Sequence, residues 1–215
     1  MQIYLDTANI SEIKEYVDLG LCDGVTTNPS ILAKEGKDIP SAISAIVKIV
    51  SGPVNVEPIA TDLEGIIKEA GEYAKLGKNI VIKLPMIKAG LKAAGILKKK
   101  KIMTSITLVF SPSQALIAAK AGADFVIPFV GRVDDGGAYG TEMVGQIAEI
   151  YRNYAIATKI LAASIRTPIH VVELALAGVD IVSVPKKVID AMIQHPFTDA
   201  GIKKFLEDWN KKTQK

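Results

Sequence analysis

Short runs of aliphatic and β-branched residues alternate along this chain with longer amphipathic stretches. Strands of a parallel sheet are apolar on both faces, whereas helices repeat their apolar positions every three to four residues. The pattern predicts eight strands: Ile3–Asp6, Gly24–Thr27, Val54–Ile59, Ile80–Leu84, Ile102–Phe110, Phe125–Val130, Ile160–Ile165 and Ile181–Val184. The predicted helices between them include Ile10–Leu19, Leu63–Leu76, Pro112–Ala121, Glu142–Tyr154 and Pro168–Ala177.

Eight alternating units of this kind predict the α/β class and a closed (β/α)8 TIM barrel. No stretch rich in Pro, Gly or Ser divides the chain, so we expect a single domain over residues 1–215. The final segment predicts a C-terminal helix extension, on which Phe205 and Trp209 lie one turn apart. An open doubly wound sheet is the alternative, but no G-x-G-x-x-G follows the first strand.

Composition narrows the classes of partner. Hydrophobic residues make up 49% and charged residues 23% of the chain, which is typical of a globular protein and excludes disorder. The formal net charge is only +3, and the one dense basic run, Lys98–Lys101, contains no aromatic residue. We interpret that run as a solvated helix end and expect no nucleic-acid partner.

The sequence contains no sign of a membrane segment or a metal site. Charged or turn-forming residues interrupt every apolar run, and the N-terminus lacks the basic and apolar regions of a secretory signal. We therefore expect a cytoplasmic protein without a membrane partner. Cys22 is the only cysteine, and the two histidines, His170 and His195, are far apart, so no metal or other cofactor is predicted.

Polar residues inside the predicted strands indicate where the chemistry lies. Residues two apart on a strand share a face, so Ile80, Ile82 and Leu84 leave Lys83 pointing into the barrel. The same rule turns Asn55, Glu57, Ser105, Thr107, Ser164 and Arg166 inward, with Ile106, Leu108, Leu161, Ala163 and Ile165 outward. Asp6 closes the first strand, and Thr26 and Asn28 close the second. All these side chains are expected at the carboxyl rim, where TIM barrels carry their active sites.

The charged members of this set are the informative ones. A single inward Ser or Thr is more often a satisfied core hydroxyl, and we favour that interpretation for Ser105, Thr107 and Ser164 taken singly. Burial of Asp6, Glu57 and Lys83 in one small barrel is costly and is hard to explain as packing. Together they favour a catalytic centre.

A lysine among apolar residues is favoured as the neutral amine, which attacks carbonyl groups. The resulting protonated imine is an electron sink, so a carbon–carbon bond beyond the neighbouring carbon can break without a metal. This chemistry needs one acid/base for water and protons and a second carboxylate at the hydroxyl whose proton leaves. Glu57 and Asp6 fit these two roles.

Motifs along nearly the whole chain resemble those of the transaldolase family, in its small branch that includes fructose-6-phosphate aldolase. They are YLDTANI, GVTTNPSIL, VNVEP, IVIKLP, SITLVFS, PFVGRVDD, AASIRTPIHV and HPFTDAGIKKFLEDW. The resemblance implies transfer of a dihydroxyacetone unit from fructose 6-phosphate to erythrose 4-phosphate, in the pentose phosphate pathway. The products would be sedoheptulose 7-phosphate and glyceraldehyde 3-phosphate.

The resemblance also implies roles for individual residues. Lys83 would form the Schiff base, Asp6 would act at the cleaved carbinol, and Glu57 and Thr107 would hold the catalytic water. Asn28 would contact the bound dihydroxyacetone, and Phe129 would form part of the pocket wall. The implied phosphate site consists of Arg132, Ser164 and Arg166. Thr26 and Ser105 complete the predicted substrate-binding set, and no metal is implied.

Three positions bear on transfer against release of free dihydroxyacetone. Glu57 and Phe129 match transaldolases, whereas fructose-6-phosphate aldolase has Gln and Tyr there. Ser105 departs from the Asn that is usual in transaldolases. Transaldolase is the favoured function, with fructose-6-phosphate aldolase as the first alternative and a non-catalytic sugar-phosphate-binding protein as the second.

A phosphosugar epimerase or isomerase would share the phosphate site but would not need the inward Lys83. The resemblance further implies a homo-oligomer, a pentamer or decamer, in which the C-terminal helix reaches a neighbouring subunit. Packing of that helix on its own barrel is the alternative.

Overall fold

The structure, a computed structural model that describes residues 1–36 and 38–213, is a closed barrel of eight parallel strands. Each strand pairs with its neighbours in chain order, and the last pairs with the first. The strands are β1 (Gln2–Asp6), β2 (Gly24–Thr26), β3 (Val54–Val56), β4 (Ile80–Pro85), β5 (Thr104–Val109), β6 (Phe125–Pro128), β7 (Lys159–Ala162) and β8 (Ile181–Val184). The predicted TIM barrel is confirmed, and the open sheet is excluded.

Helices connect the strands around the outside of the barrel. They are α1 (Ile10–Asp18), α2 (Pro29–Lys34), α3 (Ile39–Val47), α4 (Leu63–Tyr73), α5 (Lys88–Lys99), α6 (Pro112–Lys120), α7 (Val130–Asp135), α8 (Gly140–Asn153), α9 (Pro168–Leu176), α10 (Lys186–Ile193) and α11 (Pro196–Thr213). The predicted C-terminal extension is α11. Within the described residues, no helix combines the length and apolar character that a membrane crossing requires.

Three helices at the carboxyl rim begin with a capping residue followed by proline. Asn28, Ser111 and Thr167 precede α2, α6 and α9, and each side chain accepts a hydrogen bond from the third helical N–H. Proline suits the first helical position because its missing N–H would have no partner within the helix. These caps fix the direction in which the chain leaves β2, β5 and β7.

Several strands end before their predicted limits. The third ends at Val56 instead of Ile59, because Pro58 has no N–H to continue the ladder. The sixth ends at Pro128 instead of Val130, and the seventh ends at Ala162 instead of Ile165. The predicted range 102–110 narrows to Thr104–Val109.

The apolar side chains form two layers. An outer layer between strands and helices contains Ile80, Ile82 and Leu84, which confirms that Lys83 lies on the inner face of β4. The inner layer consists of Tyr4, Val81, Phe125, Ile127, Leu161, Ala163 and Ile181. Most of its members come from β6, β7 and β8, so the apolar part of the barrel interior is concentrated on one side.

The predicted orientation of the seventh strand is wrong. Leu161 and Ala163 belong to the inner layer rather than the outer one. The sequence prediction extended strand alternation past Ala162, but Ser164 has a left-handed backbone with φ of 59°. That turn breaks the alternation of strand faces. Ser164 therefore reaches the interior because of its backbone conformation, and not because of its position in the strand.

Leu108 was also predicted to face the helices, and this is wrong. Its side chain is 42% exposed, and its φ is 60°. The pairing of β5 with β6 shifts register between Ile106 and Val109, so a bulge lies at this point. Bulges near the rim of a barrel redirect side chains, and this one turns Leu108 to solvent.

A repeated hydrogen bond stabilises the amino end of the barrel. It joins an odd-numbered strand to the residue that precedes the next, even-numbered strand. In three of the four strand pairs, an aspartate before the even strand accepts a hydrogen bond of 2.8 Å from the first N–H groups of the odd strand. The donor and acceptor pairs are Ile3 with Asp23, Thr104 with Asp124 and Ile160 with Asp180. In the fourth pair, Asn79 instead donates to the carbonyls of Val50 and Gly52.

Candidate active site

A cavity of about 190 Å³ opens at the carboxyl end of the barrel. Its lining consists of Asp6, Thr26, Asn28, Lys83, Ile127, Phe129, Arg132, Ala163 and Ser164. Seven of these were predicted site residues, and Ile127 and Ala163 are apolar additions from β6 and the end of β7. A larger depression, of about 440 Å³, near the amino end of β7 contains none of the predicted site residues.

Lys83 forms an ion pair inside the barrel. Its Nζ lies 3.0 Å from Oε2 of Glu57, and the two side chains are only 6% and 16% exposed. On β5, Ser105 is the register partner of Lys83. The surroundings of Lys83 are therefore not wholly apolar as expected, because the carboxylate of Glu57 lies on the side towards β3. That carboxylate is within proton-transfer distance of Nζ.

Asp6 is a second carboxylate at the same cavity, and its side chain is partly buried. Burial raises the pKa of this carboxyl from its usual 3.8, and this effect exceeds the lowering by the Lys83 charge and by a hydrogen bond from Thr26. The hydroxyl of Thr26 donates to Oδ1 of Asp6 at 3.0 Å. A carboxyl group with a raised pKa accepts a proton more readily than an ordinary carboxylate, and it can return that proton in a later step.

Ser183 is an inward polar residue that was not among the predicted site residues. It lies on β8, is fully buried, and its hydroxyl is hydrogen-bonded to that of Thr26. Because Thr26 donates its own proton to Asp6, Ser183 is the donor in this contact. The signal for Ser183 was available, since it stands two residues after Ile181 on the inner face of β8.

Asn28 presents a defined chemical group to the cavity. Its Oδ1 caps α2 by accepting a hydrogen bond of 2.8 Å from the N–H of Ile31. The capping contact assigns the oxygen, so the amide NH2 remains available to the cavity as a donor. A donor at this place suits a substrate carbonyl or hydroxyl oxygen.

Ser105 and Thr107 face inward as predicted but do not line the cavity. Ser105 is fully buried and donates a hydrogen bond of 2.9 Å to Oδ1 of Asn55. The hydroxyl of Thr107 is buried and has no hydrogen-bond partner within the described residues. A buried hydroxyl without a protein partner is the arrangement expected where a water molecule binds.

Two of the three predicted phosphate ligands lie together. Arg132 and Ser164 line the cavity, whereas Arg166 lies outside its lining and forms an ion pair with Asp135. A Cβ on Gly131 would come within 2.4 Å of Nε of Arg166 and 2.6 Å of the Ser164 carbonyl oxygen. Only glycine at position 131 therefore allows Arg166 to lie beside Ser164.

Phe129 forms part of the cavity wall. Its ring meets that of Phe110 edge to face, with centroids 5.8 Å apart and planes at 68°. Such pairs add about 0.5 to 1.5 kcal/mol beyond the burial of their surface. Phe110 follows the bulge in β5, so the irregular strand end helps to hold the wall in place.

The two histidines lie apart from the cavity. His170, in the first turn of α9, has its Nε2 3.4 Å from Oδ2 of Asp134. His195 precedes α11 and contacts the ring of Phe197. Among the residues that the structure describes, no three His, Cys, Asp or Glu side chains are grouped to hold a metal ion.

Comparison with known proteins adds an independent finding. A family model described as transaldolase/fructose-6-phosphate aldolase matches residues 3–215. A protein of Caldicellulosiruptor saccharolyticus named probable transaldolase is 53% identical over 216 residues, covering 100% of both chains. Proteins with the same name from Methanococcus maripaludis and a Hydrogenobaculum species are each 52% identical. These two alignments cover 97% and 98% of this chain and 97% of each relative.

Proposed function

Because the chain belongs to the transaldolase/fructose-6-phosphate aldolase family, we propose that it is a transaldolase acting through a Schiff base on Lys83. It transfers a dihydroxyacetone unit from fructose 6-phosphate, or sedoheptulose 7-phosphate, to an aldose phosphate. The main support is the position of Lys83, which lines the cavity and is 3.0 Å from Glu57. The chain 1–215 would act as one domain, since strands from β1 to β8 close a single barrel.

The first half of the reaction uses the two carboxylates in turn. Glu57 takes a proton from the Lys83 ammonium, and the free amine attacks the ketose carbonyl. The carbinolamine then loses water through Glu57, with Thr107 holding that water. Asp6 accepts the proton of the neighbouring hydroxyl as the carbon–carbon bond breaks. The bond electrons pass to the protonated imine and give an enamine, and the aldose phosphate leaves.

The second half reverses these steps with a different aldehyde. The enamine carbon attacks the acceptor carbonyl, and Asp6 returns its proton to the new alkoxide. Water then hydrolyses the imine and releases the longer ketose phosphate. Asn28 offers an NH2 donor to the three-carbon unit, and Arg132 and Ser164 bind the phosphate at the other end of the cavity.

Release of free dihydroxyacetone is the competing outcome, which would make the protein a fructose-6-phosphate aldolase. Ser105 is buried, and its hydroxyl donates a hydrogen bond to Asn55 rather than to the substrate. Ser105 therefore favours neither transfer nor release through a direct contact. Transfer is favoured by the resemblance, since Glu57 and Phe129 match transaldolases at positions where fructose-6-phosphate aldolase has Gln and Tyr. Erythrose 4-phosphate should therefore raise the yield of heptulose far above that of free dihydroxyacetone.

Borohydride trapping tests the proposed intermediate. Treatment in the presence of fructose 6-phosphate should inactivate the protein irreversibly, and peptide mapping should find the adduct on Lys83. Lys83→Arg should abolish both the adduct and activity, whereas Lys88→Arg, at an exposed lysine on α5, should retain both. An adduct elsewhere, or full activity retained without an adduct, would refute the Schiff base on Lys83.

We further propose that the protein is a homo-oligomer. The helix α11 does not bury its large apolar side chains on its own barrel, since Phe197 and Phe205 are 81% and 74% exposed. A second copy that covers this face would remove them from water. Sedimentation velocity should show an assembly that Phe205→Lys weakens, and a monomeric wild type would contradict the proposal. A cytoplasmic location stays a prediction from the sequence.

A further inference from the structure

Ser183 on β8 carries a buried hydroxyl that no step of the proposed reaction uses. Its side chain is fully buried, and it does not belong to the cavity lining. Its hydroxyl is hydrogen-bonded to that of Thr26, which in turn donates to Oδ1 of Asp6 at 3.0 Å. Side chains from β8, β2 and β1 therefore form a chain of hydrogen bonds that leads from the barrel interior to Asp6 at the cavity.

The strand register explains why these three side chains meet. β1 lies between β8 and β2, and Asp6 is the register partner of Thr26. Ser183 is the register partner of Tyr4, which stands two residues before Asp6 on the same face of β1. Gly24 is the partner of Tyr4 on the other side, and a Cβ there would come within 2.8 Å of the Tyr4 ring. The ring therefore takes the space beside Gly24, and the two hydroxyl groups lie on the level between this ring and Asp6.

The direction of the hydrogen bonds follows from the number of protons. Thr26 has one hydroxyl proton, and an ionised carboxylate accepts but does not donate. When Asp6 is ionised, Thr26 donates to Asp6, and Ser183 donates to Thr26. Each hydrogen bond in such a chain polarises the next and strengthens it by about 10 to 30%. The hydroxyl of Ser183 therefore makes Thr26 a better donor, and this stabilises the ionised form of Asp6.

We propose that Ser183 is a positioning residue, which acts through Thr26 to keep Asp6 as the carboxylate that accepts the substrate proton. This inference rests on the proposed role of Asp6 in carbon–carbon bond cleavage. Burial raises the pKa of Asp6, whereas the Lys83 charge and the Thr26 hydrogen bond lower it. Without Ser183 the lowering by Thr26 is weaker. A smaller fraction of Asp6 is then ionised at a given pH.

Carbon-13 NMR titration of the Asp6 carboxyl carbon tests this, with the signal assigned by its absence in Asp6→Asn. Ser183→Ala should lower the acid dissociation constant of Asp6 by about 1.5- to 4-fold, which corresponds to 10 to 30% of a hydrogen bond to a charged group. Thr26→Val removes the donor itself and should have a larger effect in the same direction. Adding Ser183→Ala to Thr26→Val should then change nothing further, because the two hydroxyl groups act in series.

Thr104→Val is the matched control. It removes another fully buried strand hydroxyl, two residues before Ile106 of the outer layer, and should leave the titration of Asp6 unchanged. Three results would each overturn the inference: no effect of Ser183→Ala, a lower pKa of Asp6, or an equal effect in the Thr26→Val background. A lower pKa would mean that Ser183 accepts from Thr26 and competes with Asp6. If Ser183→Ala does not fold, Ser183→Cys gives the same comparison, since a thiol is only a weak donor.

The pH profile separates this inference from the proposed function. The acid limb of kcat/KM for fructose 6-phosphate should follow the ionisation of Asp6, and Ser183→Ala should move it to higher pH by the same factor as the titration. If the titration moves and the acid limb does not, Ser183 acts on Asp6 as inferred, and the proposed role of Asp6 is wrong. A lower kcat/KM at every pH with an unchanged titration would show a purely structural role and overturn the inference.

Discussion

The interior of the barrel has a polar half and an apolar half. From β8 through β1 to β5 the inward positions near the carboxyl end carry Ser183, Asp6, Thr26, Asn55, Glu57, Lys83, Ser105 and Thr107. The inward side chains of β6, β7 and the residue after β7 are Phe125, Ile127, Leu161 and Ala163. The groups proposed for the imine chemistry therefore belong to one half, while the strands β6 and β7 of the other half form an apolar wall.

The difference shows how a small barrel can hold several ionisable groups without losing its core. Apart from Thr107, each polar side chain of the polar half has a partner close by, such as Glu57 for Lys83 and Thr26 for Asp6. Buried charges are tolerated only when they are paired. The apolar half contributes no such groups, so it supplies the uninterrupted packing that the polar half lacks.

Replacement of Asp6 should give the largest effect and the sharpest contrast between the halves. Asp6→Asn removes the proposed acid/base and should reduce kcat by about 10²- to 10⁴-fold. The same change should raise the free energy of unfolding at neutral pH. The pKa of Asp6 is raised in the folded protein, so the folded state binds this proton more tightly than the unfolded chain does.

The pH dependence follows from that sign. Stability contributed by protonated Asp6 is complete below the usual pKa of 3.8 and is lost as pH rises through the folded-state pKa. The stability gain of Asp6→Asn should therefore appear at neutral pH and shrink towards acid pH. Urea unfolding at several pH values measures it. A variant that is less stable than wild type at neutral pH would show that Asp6 contributes to stability rather than opposing it.

Much of the polar half was predictable from the sequence. Strand alternation places Lys83 and Glu57 inside, because a regular strand has only two faces, and the end of the first strand places Asp6 at the carboxyl rim. Ser183 was equally accessible to this reasoning, because it shares a strand face with Ile181. The partner of Arg166 was not predictable, because Asp135 reaches it from a helix on a different βα unit.

The apolar half was less predictable because its strands end irregularly. Ser164 lines the cavity as predicted, but through its left-handed backbone and not through strand parity. The same irregularity reversed the expected faces of Leu161 and Ala163. At β5 the bulge turned Leu108 to solvent. Backbone turns of this kind depend on tertiary contacts, which a pattern of hydrophobic residues does not contain.

Truncation of Leu161 tests whether the apolar half is only a wall. Leu161→Ala leaves a cavity in the inner layer and should lower the free energy of unfolding by about 2 to 5 kcal/mol. Leu174→Ala on α9 is the matched control, since both leucines are fully buried and Leu174 belongs to the outer layer. Both variants should still form the borohydride adduct on Lys83. Loss of the adduct in Leu161→Ala alone would mean that the apolar half takes part in the chemistry.

The smallest expected effect concerns the amino end, where the two halves are built alike. Asp23 holds the start of β1 in the polar half, and Asp180 holds the start of β7 in the apolar half, each through one hydrogen bond of 2.8 Å. Asp23→Ala and Asp180→Ala should each lower the free energy of unfolding by about 1 to 2 kcal/mol, since each leaves a strand N–H without its charged acceptor. Neither should change kcat, because the cavity lies at the other end of the strands. The double variant should show nearly additive losses, as expected for separate sites. If Asp23→Ala lowers kcat and Asp180→Ala does not, the functional difference between the two halves extends from the carboxyl end of the barrel to its amino end.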